Sequence, residues 1–223
     1  AIYHPPASGR MAVAEALTNL VASDVQDFKD IKLSANWMAA CGGQGQDAAL
    51  FDTVQAVSQW CQALGLSIPV GKDSLSMRPS WNDGSADHEV VSPVSLVVTA
   101  FAQVKDVRRT LTPQLRTDRG KSVLILIDLG QGQQRMAGSV LNLVTGHIGG
   151  ESPDIEDAEL LINYFKAIRS LAEQDLLWAY PDRSDGGLLA TVAEMAIAGR
   201  TGVALNIDML AIESYTQDWG DYK

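Results

Sequence analysis

Helical and extended apolar periods follow one another along this chain, but not in the strict β–α–β order that a doubly wound parallel sheet requires. Residues 9–23 are Ala-rich, with Val13, Leu17, Leu20 and Val21 on one stripe, and predict a helix. Residues 31–38 predict a strand. Residues 48–64 predict a second helix, with Phe51, Val54, Val57, Cys61 and Leu64 at helical spacing. Asp47 is its expected N-cap and Gly65 its terminating glycine. Leu66–Val70 is a short extended run interrupted by Pro69, which confines it to an edge or a strand end. The polar residues 79–88 predict an exposed hairpin loop. Residues 90–104, β-branched and broken early by Pro93, predict the strongest strand. The polar connection 106–120 is the expected boundary between a subdomain over 1–105 and another over 106–223. Beyond it, the continuous apolar run Ser122–Leu129 predicts a strand buried on both faces. Helices are expected near 137–145 and over 155–173 and 187–199, with strands at 176–180 and 203–207. This order fits an α+β fold in two layers better than a dinucleotide-binding sheet.

Composition narrows the function classes. Of 223 residues, 46 % are apolar, and 17 basic against 27 acidic side chains give a formal charge of −10. That is a folding composition, not a disordered one. An acidic chain without a basic cluster is a poor nucleic-acid partner, and no apolar run approaches the ~20 residues that span a bilayer. Cys41 and Cys61 make neither a disulfide framework nor a zinc pattern, so a reducing, cytoplasmic setting is expected. The chain opens on Ala1 and closes on Gln217–Lys223, which neither ends a helix nor completes a strand. A piece of a longer polypeptide, cut at both ends, is therefore expected.

Four clusters carry residue types suited to chemistry. Glu15 and Asn19 stand at i and i+4 on the first helix, so they share a face. Both offer oxygen, which suits Mg²⁺ or Ca²⁺. A solvated polar face would look the same, but this helix is otherwise small and apolar. Asp182-Arg183-Ser184-Asp185-Gly186-Gly187 leads directly into a helix, where glycine N–H groups and the dipole favour an anion. Two aspartates there repel a bare phosphate and become useful when a divalent cation bridges them to it. The plain alternative is a helix capped by Ser184 or Asp185. Gly71-Lys72-Asp73-Ser74 offers an amine, a hydroxyl and flexible backbone to a phosphate, or is simply a turn. It lacks the spacing of a Walker A loop. Gly42-Gly43-Gln44-Gly45 is a flexible loop without a dinucleotide fingerprint. His4, His88 and His147 show no metal or triad spacing, and neither cysteine sits in a nucleophile motif.

Longer stretches resemble a known family. Pro6–Leu20 (PASGRMAVAEALTNL), Ile31–Ala40 (IKLSANWMAA), Ile68–Met77 (IPVGKDSLSM), Leu111–Leu115 (LTPQL) and Asp182–Leu189 (DRSDGGLL) are similar, in the same order, to motifs of the phosphoribosylformylglycinamidine synthase family in its large single-chain form. The resemblance covers about residues 5–208 and implies the middle of the second half of the synthetase region. Its implied fold is an aminoimidazole ribonucleotide synthetase-like (PurM-like) two-domain half of α/β sandwich type, truncated at both ends. A ferredoxin-like α+β domain lacking its first strands would precede an α/β domain lacking its last elements. The implied reaction is the ATP- and glutamine-dependent conversion of formylglycinamide ribonucleotide to the amidine in purine biosynthesis. In that family the second half holds an auxiliary nucleotide (ATP or ADP) with Mg²⁺. The matching positions are Glu15, Asn19 and Asp182 as metal ligands and Ser184 beside the nucleotide. Lys72, Asp73 and Ser74 match a loop that approaches phosphates. A further family aspartate lies upstream of Ala1, so the metal set of this stretch is expected to be incomplete. The resemblance assigns no catalytic residue here and puts the glutaminase cysteine in another domain. Implied partners are the first synthetase half, the glutaminase domain and the nucleotide, with neither nucleic acid nor membrane. A stretch that contributes packing and a bound nucleotide would be inactive alone. The competing reading is an assembly module whose open sheet edges form a homodimer. A free-standing kinase-like enzyme fits poorly, because a Walker A loop and a catalytic motif are missing.

Overall fold

The computed structural model describes residues 1–147, 149–183 and 185–210. Its sheet is short and mixed: β1 (Lys32–Met38) lies between β2 (Ser67–Ser74), parallel to it, and β5 (Ser95–Phe101), antiparallel. Ser67 pairs with Lys32, and Val70 with Ser34, so β2 carries one residue more than β1 across this step. Pro69 falls within that bulge, where its missing N–H interrupts nothing. β3 (Ser80–Asn82) and β4 (Asp87–Glu89) form the expected hairpin, with Trp81 stacked on His88 at 5.3 Å.

Two helices cover one face of the sheet. α1 (Pro5–Leu20) starts four residues before the apolar stripe predicts, because Pro5 and Pro6 suit the first helical positions and His4 Nδ1 accepts from Ala7 N at 3.0 Å. α2 (Gln46–Leu64) ends at Gly65 in left-handed geometry, as expected. Its N-cap is Gly45, not Asp47, whose Oδ1 instead accepts from Gly42 N at 3.0 Å and closes the preceding loop. Leu33, Ala35 and Trp37 of β1 share a face with Ala100, Val98 and Leu96 of β5. Leu33 is buried in one cluster with Val13, Leu17, Val57 and Leu64 of the helices, and Trp37, Leu96, Val98 and Ala100 pack against it.

The helices meet at Gly9. A Cβ there would stand 2.7 Å from Val57 Cγ2 and 2.9 Å from Thr53 Cγ2, both residues being fully buried. Gly9→Ala is therefore expected to lower stability by about 1–2 kcal/mol in urea unfolding, although alanine is the better helix former by ~1 kcal/mol. A gain in stability would show that the helices separate without cost.

After Phe101 the chain is largely irregular until α3 (Val140–Thr145), capped by Ser139, and α4 (Ala158–Glu173), capped by Asp157. α5 (Gly187–Gly199) matches its predicted span, but Gly186 in left-handed geometry is its N-cap rather than Asp185; Ser184 lies outside the described residues. Three expected strands do not form among the described residues. Residues 122–129, 176–180 and 203–207 have no ladder, and the first leaves Val123 81 % and Ile125 73 % exposed. An apolar run states a demand for burial; a strand also needs a neighbour to close its hydrogen bonds.

α4 ties the later residues to the earlier ones. Leu161, Phe165 and Ile168 are buried in the same cluster as Leu17 and Leu33. Arg10 of α1 grips Asp154 with Nε and Nη2, at 2.9 and 2.5 Å. Burial works against the Asp154 charge, and the guanidinium overcomes it, holding the carboxyl below its usual range. Among the described residues no helix is long and apolar enough to cross a membrane.

Candidate functional site

The end of α1 and residues 177–182 are tied together through Leu111 and Thr112. Leu111 N donates to Ala22 O (2.8 Å) just past α1, and Tyr180 N donates to Thr112 O (2.9 Å). This bracing brings Asp182 onto the last turn of α1. Asp182 Oδ2 accepts from Asn19 Nδ2 at 3.1 Å and from Thr18 Oγ1 at 3.2 Å. Glu15 lies one turn earlier on the Asn19 face and is exposed. The structure thus joins two sites 163 residues apart in sequence, Asn19 and Asp182, with Glu15 one turn earlier on α1.

Two phenols sit behind this contact. Tyr180 Oη donates to Thr18 O at 2.7 Å and is paired with the Tyr164 hydroxyl of α4. Burial, then Tyr164, pushes the Tyr180 phenol far above its ordinary range, and burial likewise raises Tyr164. Both stay neutral hydroxyls. Sequence reading missed Thr18, Tyr164 and Tyr180.

The donor set suits a hard divalent cation. Glu15, Asn19 and Asp182 offer oxygen only. Among the described residues, both hydrogen bonds to Asp182 reach Oδ2, which leaves Oδ1 to a ligand. No group of three or more His, Cys, Asp or Glu gathers to hold a metal among the described residues. The set is therefore two carboxylates and an amide, fewer protein ligands than the octahedral Mg²⁺ shell holds, the rest of which is usually phosphate and water. The two left-handed glycines at the start of α5, Gly186 and Gly187, lie four and five residues beyond Asp182.

Lys72, Asp73 and Ser74 are elsewhere. They belong to β2, not to a turn. Lys72 and Ser74 pair with Asn36 and Met38 on the sheet face turned away from α1, and Lys72 Nζ donates to Ser74 Oγ at 3.0 Å. Asp73 pairs with Trp37 on the opposite face. The structure does not bring Lys72 or Ser74 to Asp182. Both thiols are held toward their protonated form: burial, then Asp47, raises Cys41, and burial pushes Cys61 up to about 11.

Residues 1–103 match the model of the FGAR-AT PurM N-like domain, and residues 121–220 match that of the AIR synthase related protein C-terminal domain. The two leave unmatched only 104–120 and 221–223, and they define the class: a mixed α+β chain with PurM-like N- and C-terminal domains. The N-terminal match is to a domain of FGAR-AT, and the chain is FGAM synthetase-like over that part. Among solved structures it is similar to T. maritima PurL complexed with ATP, at 12 % identity and a TM-score of 0.51, over 88 % of this chain. It also matches two structures of the hydrogenase maturation protein HypE of E. coli, at 19 % and 17 % identity and TM-scores of 0.49 and 0.47, each over 85 % of this chain. The chain spans 27 % of the length of the PurL chain and 51 % of each HypE chain.

Proposed function

We propose that this chain is a working part of an ATP-using carbon–nitrogen ligase of purine biosynthesis, the one that converts formylglycinamide ribonucleotide to the amidine with glutamine as nitrogen donor. Within it, Glu15, Asn19 and Asp182 hold Mg²⁺ and, with Ser184, an auxiliary nucleotide. The observation that carries this reading is the docking of Asp182 on Thr18 and Asn19, one turn from Glu15. The ATP complex of the similar T. maritima structure agrees with it. Lys72, Asp73 and Ser74 are kept as phosphate contacts of a different surface along β2, Lys72 and Ser74 on the far face of the sheet and Asp73 on the other. The division at 105/106 follows the polar connection.

Bound Mg²⁺ would neutralise phosphate oxygens that Glu15 and Asp182 would otherwise repel. The chain's own residues orient: Asn19 and Thr18 fix Asp182, and the glycines opening α5 turn backbone N–H groups toward an anion. A chain whose part is holding a nucleotide gives no amidine from ATP with glutamine or ammonia; turnover above background overturns that assignment. The site itself is tested with Mn²⁺ and ADP, followed by electron paramagnetic resonance of free Mn²⁺. Weak binding is expected, and Asp182→Asn should weaken it by at least the ~10–100-fold that loss of even an outer partner of a metal ligand costs. Equal binding by Asp182→Asn and the parent chain rejects the site.

A second reading has its own observation. Val70, Val97 and Phe101 line the sheet face away from the helices and are 64, 52 and 56 % exposed. Among the described residues, both outer strands of the three-stranded sheet are open edges. Such a face favours a homodimer built sheet to sheet. Light scattering across a concentration series tests it, and a strict monomer throughout rejects it.

A further inference from the structure

We infer that Tyr180 is a positioning residue for Asp182, acting through Thr18. The inference rests on the cation-site reading above. The proton count fixes the direction of the hydroxyl chain. Thr18 O is a carbonyl and only accepts, so the single proton of Tyr180 goes to it at 2.7 Å. Tyr164 must then donate to Tyr180. Thr18 is where this chain meets the site: its backbone oxygen receives Tyr180, and its own hydroxyl reaches Asp182 Oδ2 at 3.2 Å. That hydroxyl has a second acceptor, Glu15 O at 3.1 Å, and one proton to give. A carboxylate oxygen is a stronger acceptor than a peptide carbonyl, so the proton goes to Asp182. Tyr180 and Asp182 lie two residues apart on one segment and both bond to Thr18, so the bond to Thr18 O sets where along α1 that segment rests. It thereby sets whether Asp182 meets Asn19. Both phenols are half-buried or deeper, away from the solvent that would compete for these bonds.

The role is tested on the full chain by Mn²⁺ titration with ADP, alongside the thermal midpoint. Tyr180→Phe keeps the ring and its packing but removes the donor. It is expected to weaken Mn²⁺ binding about 10-fold, within the range known for outer partners of metal ligands. Tyr164→Phe, which leaves the bond from Tyr180 to Thr18 O in place, should weaken it less. Thr18→Val should weaken it as Tyr180→Phe does, and Thr18→Ser should restore it. A purely structural phenol predicts a lower thermal midpoint with unchanged affinity of the folded chain, and that result overturns the inference. The two readings fail separately. If Asp182→Asn binds Mn²⁺ normally, the site is wrong. If Asp182→Asn loses binding while Tyr180→Phe and Thr18→Val keep it, only the positioning role is wrong.

Discussion

Replacing Arg169 by Met is expected to lower the unfolding free energy by about 3–5 kcal/mol, the range for removing one partner of a buried ion pair. Arg169 sits on α4 with its side chain 7 % exposed, and Asp24, just past α1, is 4 % exposed. The guanidinium binds Asp24 Oδ1 and reaches the carbonyl of Val21, which closes α1. Without it, the buried Asp24 carboxyl is left without its cationic partner. The carbonyl dipole at the end of α1, itself negative, adds to the penalty. The cost belongs mostly to the orphaned charge and not to the bond. The pair is also imperfect, since Arg169 Nε has no partner among the described residues. Arg169→Met with Asp24→Leu should therefore recover most of the loss, because replacing a whole buried pair by apolar residues is often neutral. Urea unfolding of the parent, both single variants and the double variant measures this coupling. A loss below about 1 kcal/mol in Arg169→Met would show that Asp24 is solvated after all.

How much of this was legible in the sequence depends on whether the deciding partner was local. α5 kept its predicted span and α2 its predicted end, because Gly65 sets that boundary within a few residues of itself. Asp47 failed as a cap for a local reason too: Gly45 had already taken the left-handed turn, and Asp47 Oδ1 found Gly42 N. Residues 122–129 failed because hydrophobicity does not name the neighbouring strand. At the candidate site, Glu15, Asn19 and Asp182 were visible through family motifs. Their meeting was not readable from spacing, since Thr112 and Ala22 bring it about through backbone bonds. Lys72 and Ser74 looked like a phosphate loop because a Gly-Lys-Asp-Ser run resembles a turn. Pairing with β1 overrode that local preference.

Phe165→Ala should cost about 3–5 kcal/mol, and the manner of the loss matters more than its size. Phe165 is 3 % exposed and meets Phe28 edge to face, with ring centroids 5.1 Å apart at 77°. The aromatic geometry accounts for about 0.5–1.5 kcal/mol, and lost burial and the remaining cavity for the rest. Phe28 precedes the sheet and Phe165 lies on α4, beyond the polar connection, yet they share one buried cluster with Leu17, Leu33 and Leu161. A core that draws on both parts of the chain cannot lose one part and keep the other at full stability. Denaturation followed by tryptophan fluorescence and by circular dichroism should therefore give one coincident transition, displaced as a whole in Phe165→Ala. Amides of α1 and α4 should lose hydrogen-exchange protection together. Two separate transitions, with the variant moving only the one that reports α4, would mean that the shared cluster does not couple the parts. The contact between Thr18 and Asp182 would then have to survive on hydrogen bonds alone, which are worth only about 0.5–1.5 kcal/mol each, somewhat more when the acceptor is charged. A site assembled from α1 and the segment before α5 is thus expected to be only as firm as the seating of α4 between them.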